Sequence, residues 1–340
     1  MKFYEITIRP ISGFGTPLKG DTLFGHFCWQ VAYEPDLVEG GLQRALESYG
    51  ERPFAVFSSA FVRLESGNVR YLLPRPCLPV SCFLEKGMTR RARYEAAKDL
   101  KSRKWLSVRE DLKLDLTGER LADVTGTLLE KTPNSKTPEA REGHEGIVGM
   151  FVQAHNSINR LTQTTSGPEF APYATDVHYY HPALELAFFV LVDEGMTDIE
   201  RVKRGMENIG RFGYGRDAST GLGRFDVCDV AELKLERPEG VNACYTLAPC
   251  VPEKGAYREI HYSPFVRFGK HGDRLATAAN PFKNPVVMAD EGAVLIPKKA
   301  EALNKSFAGQ AISGISKAEP GTVVQGYAPY IPLRMESCDG

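Results

Sequence analysis

Residues 209–225 read IGRFGYGRDASTGLGRF, between DIERVKRGMEN at 198–208 and FDVCDVAELKL from 225 to 235. The upstream flank has the apolar spacing of a helix, and the downstream flank reads as a strand. Between them, Gly210, Gly213, Gly215, Gly221 and Gly223 permit positive φ and a close approach of backbone N–H groups to a ligand. Arg211, Arg216 and Arg224 add permanently charged, planar donors suited to phosphate. Phe212 and Tyr214 add aromatic surface, and Ser219 and Thr220 add hydroxyls. Together these suit an anion with a backbone, RNA before others. Gly213 to Ala218 also satisfies G-x-G-x-x-A, the dinucleotide pattern. That pattern follows a strand and opens a helix. Here the helix comes first and the strand second, which excludes it.

On the N-terminal side, Lys2–Arg9 alternates as a first strand with Ile6 and Ile8 toward the core. Pro10–Gly20 is a loop with three glycines and two prolines. Asp21 is placed to cap the next helix. Leu23, Phe24, Phe27, Trp29 and Val31 make that helix apolar and buried, and Pro35 ends it. FAVFSSAFVRL at 54–64 and Asn68–Leu73 form a hairpin around Ser66-Gly67-Asn68. LELAFFVLV at 184–192 reads as a central strand. The order strand, helix, hairpin, insertion, strand, helix, strand reduces, without the insertion, to βαββαβ. This predicts an α+β, ferredoxin-like fold, the topology that RNA-recognition modules also use. Arg237-Pro238-Glu239-Gly240 marks a boundary. A ferredoxin-like domain over 1–236, with an insertion at about 75–177, is expected. A smaller β-rich lobe over 237–340 follows, and its repeat character does not by itself define a second ferredoxin-like unit.

The insertion is locally basic. Lys86–Lys113 carries ten Lys/Arg against four acidic residues, mostly on a helix expected from Arg90 to Lys104. This is either a solvated helical face or a phosphate-facing surface, and Trp105 at its end is either a stacking side chain or core. Asp115–Val148 reads as a polar excursion. Within it, KTPNSKTPEAREGHEG at 131–146 is expected to be disordered or ordered by a ligand. His155–Thr165 (HNSINRLTQTT) concentrates hydrogen-bonding side chains suited to sugars, phosphates and base edges. Asn and Thr clusters also build turns and caps.

Whole-chain composition bounds the function. The chain has 340 residues, 42% hydrophobic and 25% charged, as in an ordinary globular protein of about two domains. A net charge of −1 removes any global pull toward nucleic acid, so binding must come from local patches. No run of 18 apolar residues exists, and the N-terminus alternates like a strand rather than a signal core. Seven scattered cysteines favour a reducing cytoplasm. Cys77-x4-Cys82 and Cys244-x5-Cys250 are loose for zinc, and no metal or cofactor is expected. His178 and His181 flank Tyr179-Tyr180, a weak metal signal. Neither a paired-carboxylate motif nor a P-loop lysine is present. His26, beside large apolar residues, is the one weak candidate for a general base in metal-independent RNA cleavage.

Several stretches together resemble the RAMP superfamily of CRISPR effector proteins. Within it they are most similar to the subunit of the type III-A (Csm) complex that holds the 5′ handle of the crRNA. Pro17–Trp29 (PLKGDTLFGHFCW) is similar to its D-T-[LI]-F-G-x-x-C-W stretch. Asn156–Thr165 resembles N-x-I-N-R-x-T-G-T-T, with Gln163 where a glycine is usual. Gly213–Phe225 resembles G-x-G-x-x-x-S-x-G-L-G-x-F, with Asp217 where the family prefers a basic residue. Gly326–Leu333 (GYAPYIPL) resembles its closing strand. The resemblance implies a non-catalytic RNA-binding subunit that caps the handle and contacts a large polymerase-like subunit and the first backbone subunit. The residues it brings forward are Lys19, Asn156, Asn159, Arg160, Thr165, and the loop from Arg211 through Arg224, with Phe212 and Tyr214 expected as exposed rings that stack on flipped bases. A processing endoribonuclease of the same superfamily, and a purely structural assembly subunit, are the alternatives.

Overall fold

A computed structural model describes residues 1–66, 68–84, 87–114, 116, 121–122, 147–165 and 167–335. The proposed disorder of 131–146 lies outside the described residues, as does Lys86. In chain order the elements are β1 (Lys2–Pro10), α1 (Gly20–Tyr33), α2 (Gly41–Ser48), β2 (Ala55–Ser66) and β3 (Asn68–Pro74). Then come α3 (Arg90–Ser102), β4 (Trp105–Arg109), β5 (Leu121–Ala122), β6 (Val148–His155) and β7 (Tyr173–Tyr180). They are followed by β8 (Glu185–Val192), α4 (Ile199–Phe212), β9 (Phe225–Leu233), β10 (Ala243–Thr246), β11 (Tyr257–His261) and β12 (Pro264–Arg267). The last are β13 (Val286–Ala289), β14 (Val294–Pro297), β15 (Phe307–Gly309) and β16 (Tyr327–Leu333).

The fold is mixed α+β. A seven-stranded sheet has the order β5-β4-β3-β2-β8-β1-β9, and a five-stranded sheet has the order β11-β14-β10-β16-β15. In the first sheet β1 lies antiparallel between β8 and β9, and β2 lies antiparallel to β8. The unit β1-α1-β2-β8-α4-β9 therefore has the spatial order β2-β8-β1-β9. The hairpin read from sequence exists, but β3 lies outside this unit and, with β4 and β5, widens the sheet. β8 is apolar almost throughout because it sits in the middle, where Leu186, Phe188 and Val190 are buried.

Ile6 and Ile8 are fully buried, as the alternation requires. α1 and α4 pack on β2 and β9 and against each other. The packing is tight where side chains vanish: a Cβ on Gly205 would meet the Phe27 ring at 2.5 Å, and one on Gly210 would collide with the Phe225 carbonyl oxygen. Trp105 opens β4 and packs, half-buried, on the core, which settles it as a packing residue.

The two sheets share one core. Tyr245, Leu247, Val294, Tyr327, Ile331 and Leu333 belong to the same buried cluster as Phe57 and Phe188. Polar groups join them as well. β2 shifts register between Phe57 and Ala60, which frees backbone groups in the interior. The amide of Gln325 answers Phe57 in both directions: Phe57 N–H donates to Oε1 at 2.8 Å, and Nε2 donates to the Phe57 carbonyl at 2.7 Å. Ser59 N–H donates to the Leu247 carbonyl at 2.8 Å.

One expectation fails at α1. Asp21 does not cap it. The helix starts at Gly20, with Lys19 at the cap position and no side-chain cap. Asp21 is buried, and Arg267 donates to both its oxygens at 2.5 and 2.9 Å. A buried carboxylate gains more from a bidentate guanidinium than from the first-turn amides.

The seat of α4 on β9 can be tested with Gly210→Ala. Alanine raises helix propensity by about 1 kcal/mol, but overpacking costs about 1–3 kcal/mol. Here the obstacle is backbone, which cannot swing aside. The variant should unfold at a lower urea midpoint than the natural chain. An equal or higher midpoint would mean that α4 has room to lift from β9.

Candidate nucleic-acid interface

The glycine stretch folds in three parts. Arg211 and Phe212 are not loop residues: they form the last turn of α4, which ends at Gly213 with φ 103°. The Gly213 N–H donates to the Ile209 carbonyl at 2.8 Å. Residues 213–216 and 222–224 then run beside the Pro10–Gly20 loop. Between them, Ala218–Thr220 makes one 3₁₀ turn, entered at Asp217 with φ 61° and left at Gly221 with φ 100°.

Most loop amides are spoken for. Tyr214 N–H donates to Gly223 O, Gly215 N–H to His26 Nε2 at 3.0 Å, and Arg216 N–H to Thr16 Oγ1 at 3.0 Å. Gly223 N–H donates to Gly13 O, and Arg224 N–H donates to Ser12 Oγ at 2.9 Å. Thr220, Gly221 and Leu222 bond back into the turn. Among the described residues, only the amides of Asp217, Ala218 and Ser219 are left without a partner. The loop's capacity to bind an anion through backbone is confined to this tip.

The glycines serve packing first. A Cβ on Gly215 would meet Thr16 at 2.7 Å, and one on Gly223 would collide with the Tyr214 backbone. A Cβ on Gly221 would meet nothing within 4 Å, and only its φ calls for glycine.

Tyr214, expected as an exposed stacking ring, is fully buried. Its hydroxyl donates to the Pro17 carbonyl at 2.9 Å, and its ring lies 4.8 Å from His26. It anchors the loop and cannot stack on a base. Phe212 is 67% exposed and keeps that possibility. Lys19 is also corrected. Its Nζ lies 2.6 Å from Asp290 and 2.7 Å from Glu291, and 4.6 Å from the Phe265 ring. This charge is consumed internally and is unavailable to phosphate. His26 is held neutral: burial first, and then the Lys283 charge, push its pKa down to about 4. Its Nε2 is occupied by the Gly215 amide, so that nitrogen is a structural acceptor rather than a free base.

The exposed cations divide by partner. Arg216 donates to the Asp176 carbonyl at 2.7 Å and lies 3.3 Å from Asp217 Oδ2, too poorly aligned for a hydrogen bond. Arg160, Arg211 and Arg224 make no ion pair among the described residues. Ser219 and Thr220 are exposed at the tip, and Thr220 Oγ1 donates to Asp217 O.

Asn156–Thr165 belongs to a different element from this loop. It is the turn beyond β6 in a two-stranded ribbon, β6–β7, rooted where Phe14 and His178 exchange backbone hydrogen bonds at 2.6 and 2.9 Å. From His178 to Tyr173 the ribbon extends roughly 16 Å, at about 3.3 Å per residue. The turn is self-bonded: Asn159 Oδ1 accepts from Leu161 N–H at 2.9 Å, and Asn159 O accepts from Gln163 N–H at 2.7 Å. Gln163, where the resembled stretch has glycine, adopts φ 53°. Asn156 and Arg160 are exposed, and Thr165 is half-buried. Sequence reading missed Thr16 and Ser12 as loop holders, although a Ser/Thr-containing loop beside a glycine loop was the available signal. It also missed Leu161, which is 95% exposed at the ribbon's end.

No family model and no curated protein matches the chain. Solved structures do. A chain of the Csm3–Csm4 subcomplex in the type III-A CRISPR–Cas interference complex is 14% identical, with 98% of this chain and 100% of that one covered and a TM-score of 0.59. A chain of the Csm1–Csm4 cassette in complex with cA4 is 16% identical over 99% and 100%, with a TM-score of 0.57. The same cassette in complex with pppApA gives 17% identity over 99% and 100%, with a TM-score of 0.54. Csm4 is common to these assemblies, and at such identities the likeness is one of fold, along the whole chain. Among the described residues no helix is long and apolar enough to cross a membrane.

His26→Ala removes the Gly215 acceptor and should speed hydrogen exchange at Gly215 and its loop neighbours. A pH series adds a sign. The unfolded ring takes a proton near 6.5, but the folded ring refuses it until about 4. Stability should therefore fall as pH drops through that window. His26→Ala should lack this component. Equal pH profiles for the two proteins would show that His26 titrates freely.

Proposed function

We propose that this chain is a non-catalytic, RNA-binding subunit of a type III CRISPR interference complex, in the position that Csm4 occupies. Its βαββαβ unit is the ferredoxin-like RAMP arrangement, and the glycine loop and the ribbon rooted at Phe14 hold the crRNA 5′ handle. Its protein partners are the large polymerase-like subunit and a backbone RAMP subunit. The neighbours that support these partners are complexes of Csm4 with Csm1 and with Csm3.

The observation that carries the reading is the rim of the glycine loop. Three amides without a partner among the described residues, at Asp217, Ala218 and Ser219, sit beside the Ser219 and Thr220 hydroxyls; Arg216 there faces the Asp217 carboxylate, while Arg211 and Arg224 of the same stretch make no ion pair among the described residues. A loop locked underneath by Tyr214 and His26 presents that rim without reorganising, which favours binding over chemistry. Charges left unpaired on a near-neutral protein suit a ligand that brings its own negative charge.

The experiment is co-purification of the subunit, expressed with its neighbouring genes, followed by sequencing of the bound RNA. The natural chain should carry short RNAs with one constant 5′ segment. The variant Arg160→Ala/Arg211→Ala/Arg224→Ala should lose them, with a log–log salt slope lower by about 2 for three lost single-strand phosphate contacts. RNA retention at the natural level by the variant would overturn the handle-binding reading and favour a structural assembly role.

A further inference from the structure

The segment following β12 forms a hook that none of the handle-binding argument uses. Lys270 and Phe282 pair as an isolated bridge, Lys283 N–H donates to the Gly269 carbonyl at 2.8 Å, and His271 N–H donates to the Pro281 carbonyl at 2.8 Å. The hook is fixed from below. His271 is buried with its Nε2 at 2.7 Å from Ser316 Oγ. Arg267, at its start, is spent on Asp21. Gly272 lies against Trp29 of α1: a Cβ there would be 3.8 Å from the indole nitrogen.

What the hook shows to solvent has a pattern. Phe268 is 76% exposed and Phe282 63% exposed. Lys270 Nζ lies 5.6 Å from the Phe282 ring centre, so cation and ring share one patch. Lys270, Arg274 and Lys283 make no ion pair among the described residues. Lys283 is half-buried, and desolvation lowers its pKa; its charge faces inward, where it acts on His26 and Cys28 of α1 and is partly answered by Asp21. Single exposed hydrophobic residues need no explanation. Two exposed phenyl rings on a pinned hook, with Lys270 beside one of them, suit stacking with a phosphate contact at the edge.

The hook also reaches the glycine loop. The charge of Lys283 acts on His26, the ring that accepts the Gly215 amide. Arg267 likewise acts on Tyr214, the ring beneath the loop.

We infer that residues 268–283 form a second contact for single-stranded RNA, in which Phe268 and Phe282 stack on bases and Lys270 holds a phosphate. The inference rests on the RNA-binding reading above. Stacking is indifferent to base identity, so this contact grips the strand without reading it.

The test is fluorescence anisotropy of a labelled oligouridylate of about 16 nucleotides with the full chain, over a salt series. Phe268→Ala/Phe282→Ala should weaken binding at least about tenfold at unchanged salt slope. Lys270→Gln should lower the log–log slope by about 0.7. Circular dichroism melting controls for folding, and the ring variant, altered only at exposed positions, should melt as the natural chain does. If the natural chain fails to bind, the RNA reading and this inference fall together. If Arg211→Ala/Arg224→Ala loses binding but the hook variants keep it, only the inference falls. Retained RNA binding with loss of a co-expressed protein subunit would also overturn it, and would make the hook a protein interface.

Discussion

Lys19 and Asp21 stand two residues apart at the mouth of α1, one cation and one anion, both shielded from water. Each is neutralised from far along the chain: Lys19 by Asp290 and Glu291, and Asp21 by Arg267. Phe265 lies between the two cations, 4.6 Å from Lys19 and 4.7 Å from Arg267. Removing one partner of such a buried pair costs about 3–5 kcal/mol, because the remaining charge has no water to answer it. The start of α1 is therefore fixed only when the β12–β13 region has docked. The loop before it, and Tyr214 packed under that loop, inherit their positions from the same contacts. The β2 bulge adds an uncharged version of this constraint, since Phe57 finds its hydrogen-bond partner in Gln325. Neither sheet satisfies its own buried polar groups alone.

The glycine loop is built from the inside outward. Positive φ at Gly213, Gly215 and Gly223 lets the backbone fold over the Tyr214 ring and against Gly13 and Thr16. The close approach that glycine permits is used on protein, not on ligand, over most of the stretch. Only the turn at 217–221 faces outward with amides to spare. A loop held this way loses little conformational entropy when it binds, because most of it is already fixed.

Much of the fold was legible from pattern. The alternation of 2–9, the apolar run at 184–192 and the helix before the glycine stretch all place elements where the structure has them. Their legibility is physical: central strands and packed helix faces carry a period that side-chain burial imposes on the sequence. The roles of Lys19, Asp21 and Tyr214 were not legible, for one shared reason. A lysine before a helix, an aspartate at its start and a tyrosine in a glycine loop each have a local reading, as phosphate contact, cap and stacking ring. Each was overridden by a partner distant in sequence, at 271, 246 and 197 residues. Local pattern cannot weigh a desolvation cost that only the docked chain creates. The ribbon β6–β7 was missed for the opposite reason. Met150, Phe151 and Val152 are all exposed, so no buried face imprints an alternation on it.

The cations of this chain of net charge −1 differ in their partners. Lys19 and Arg267 near the joint between the sheets are cancelled in place, whereas Arg211, Arg224, Arg160 and Lys270 make no ion pair among the described residues. These unpaired charges do not add up to one broad field. By strand geometry the ribbon turn lies roughly 16 Å from its root at His178, beyond the Debye length of about 8 Å at physiological salt, so charges at the turn and at the root are largely screened from each other. A compact anion could satisfy only one of these places. An extended, flexible polyanion satisfies several at once, and each added contact then acts at the high effective concentration set by the strand itself.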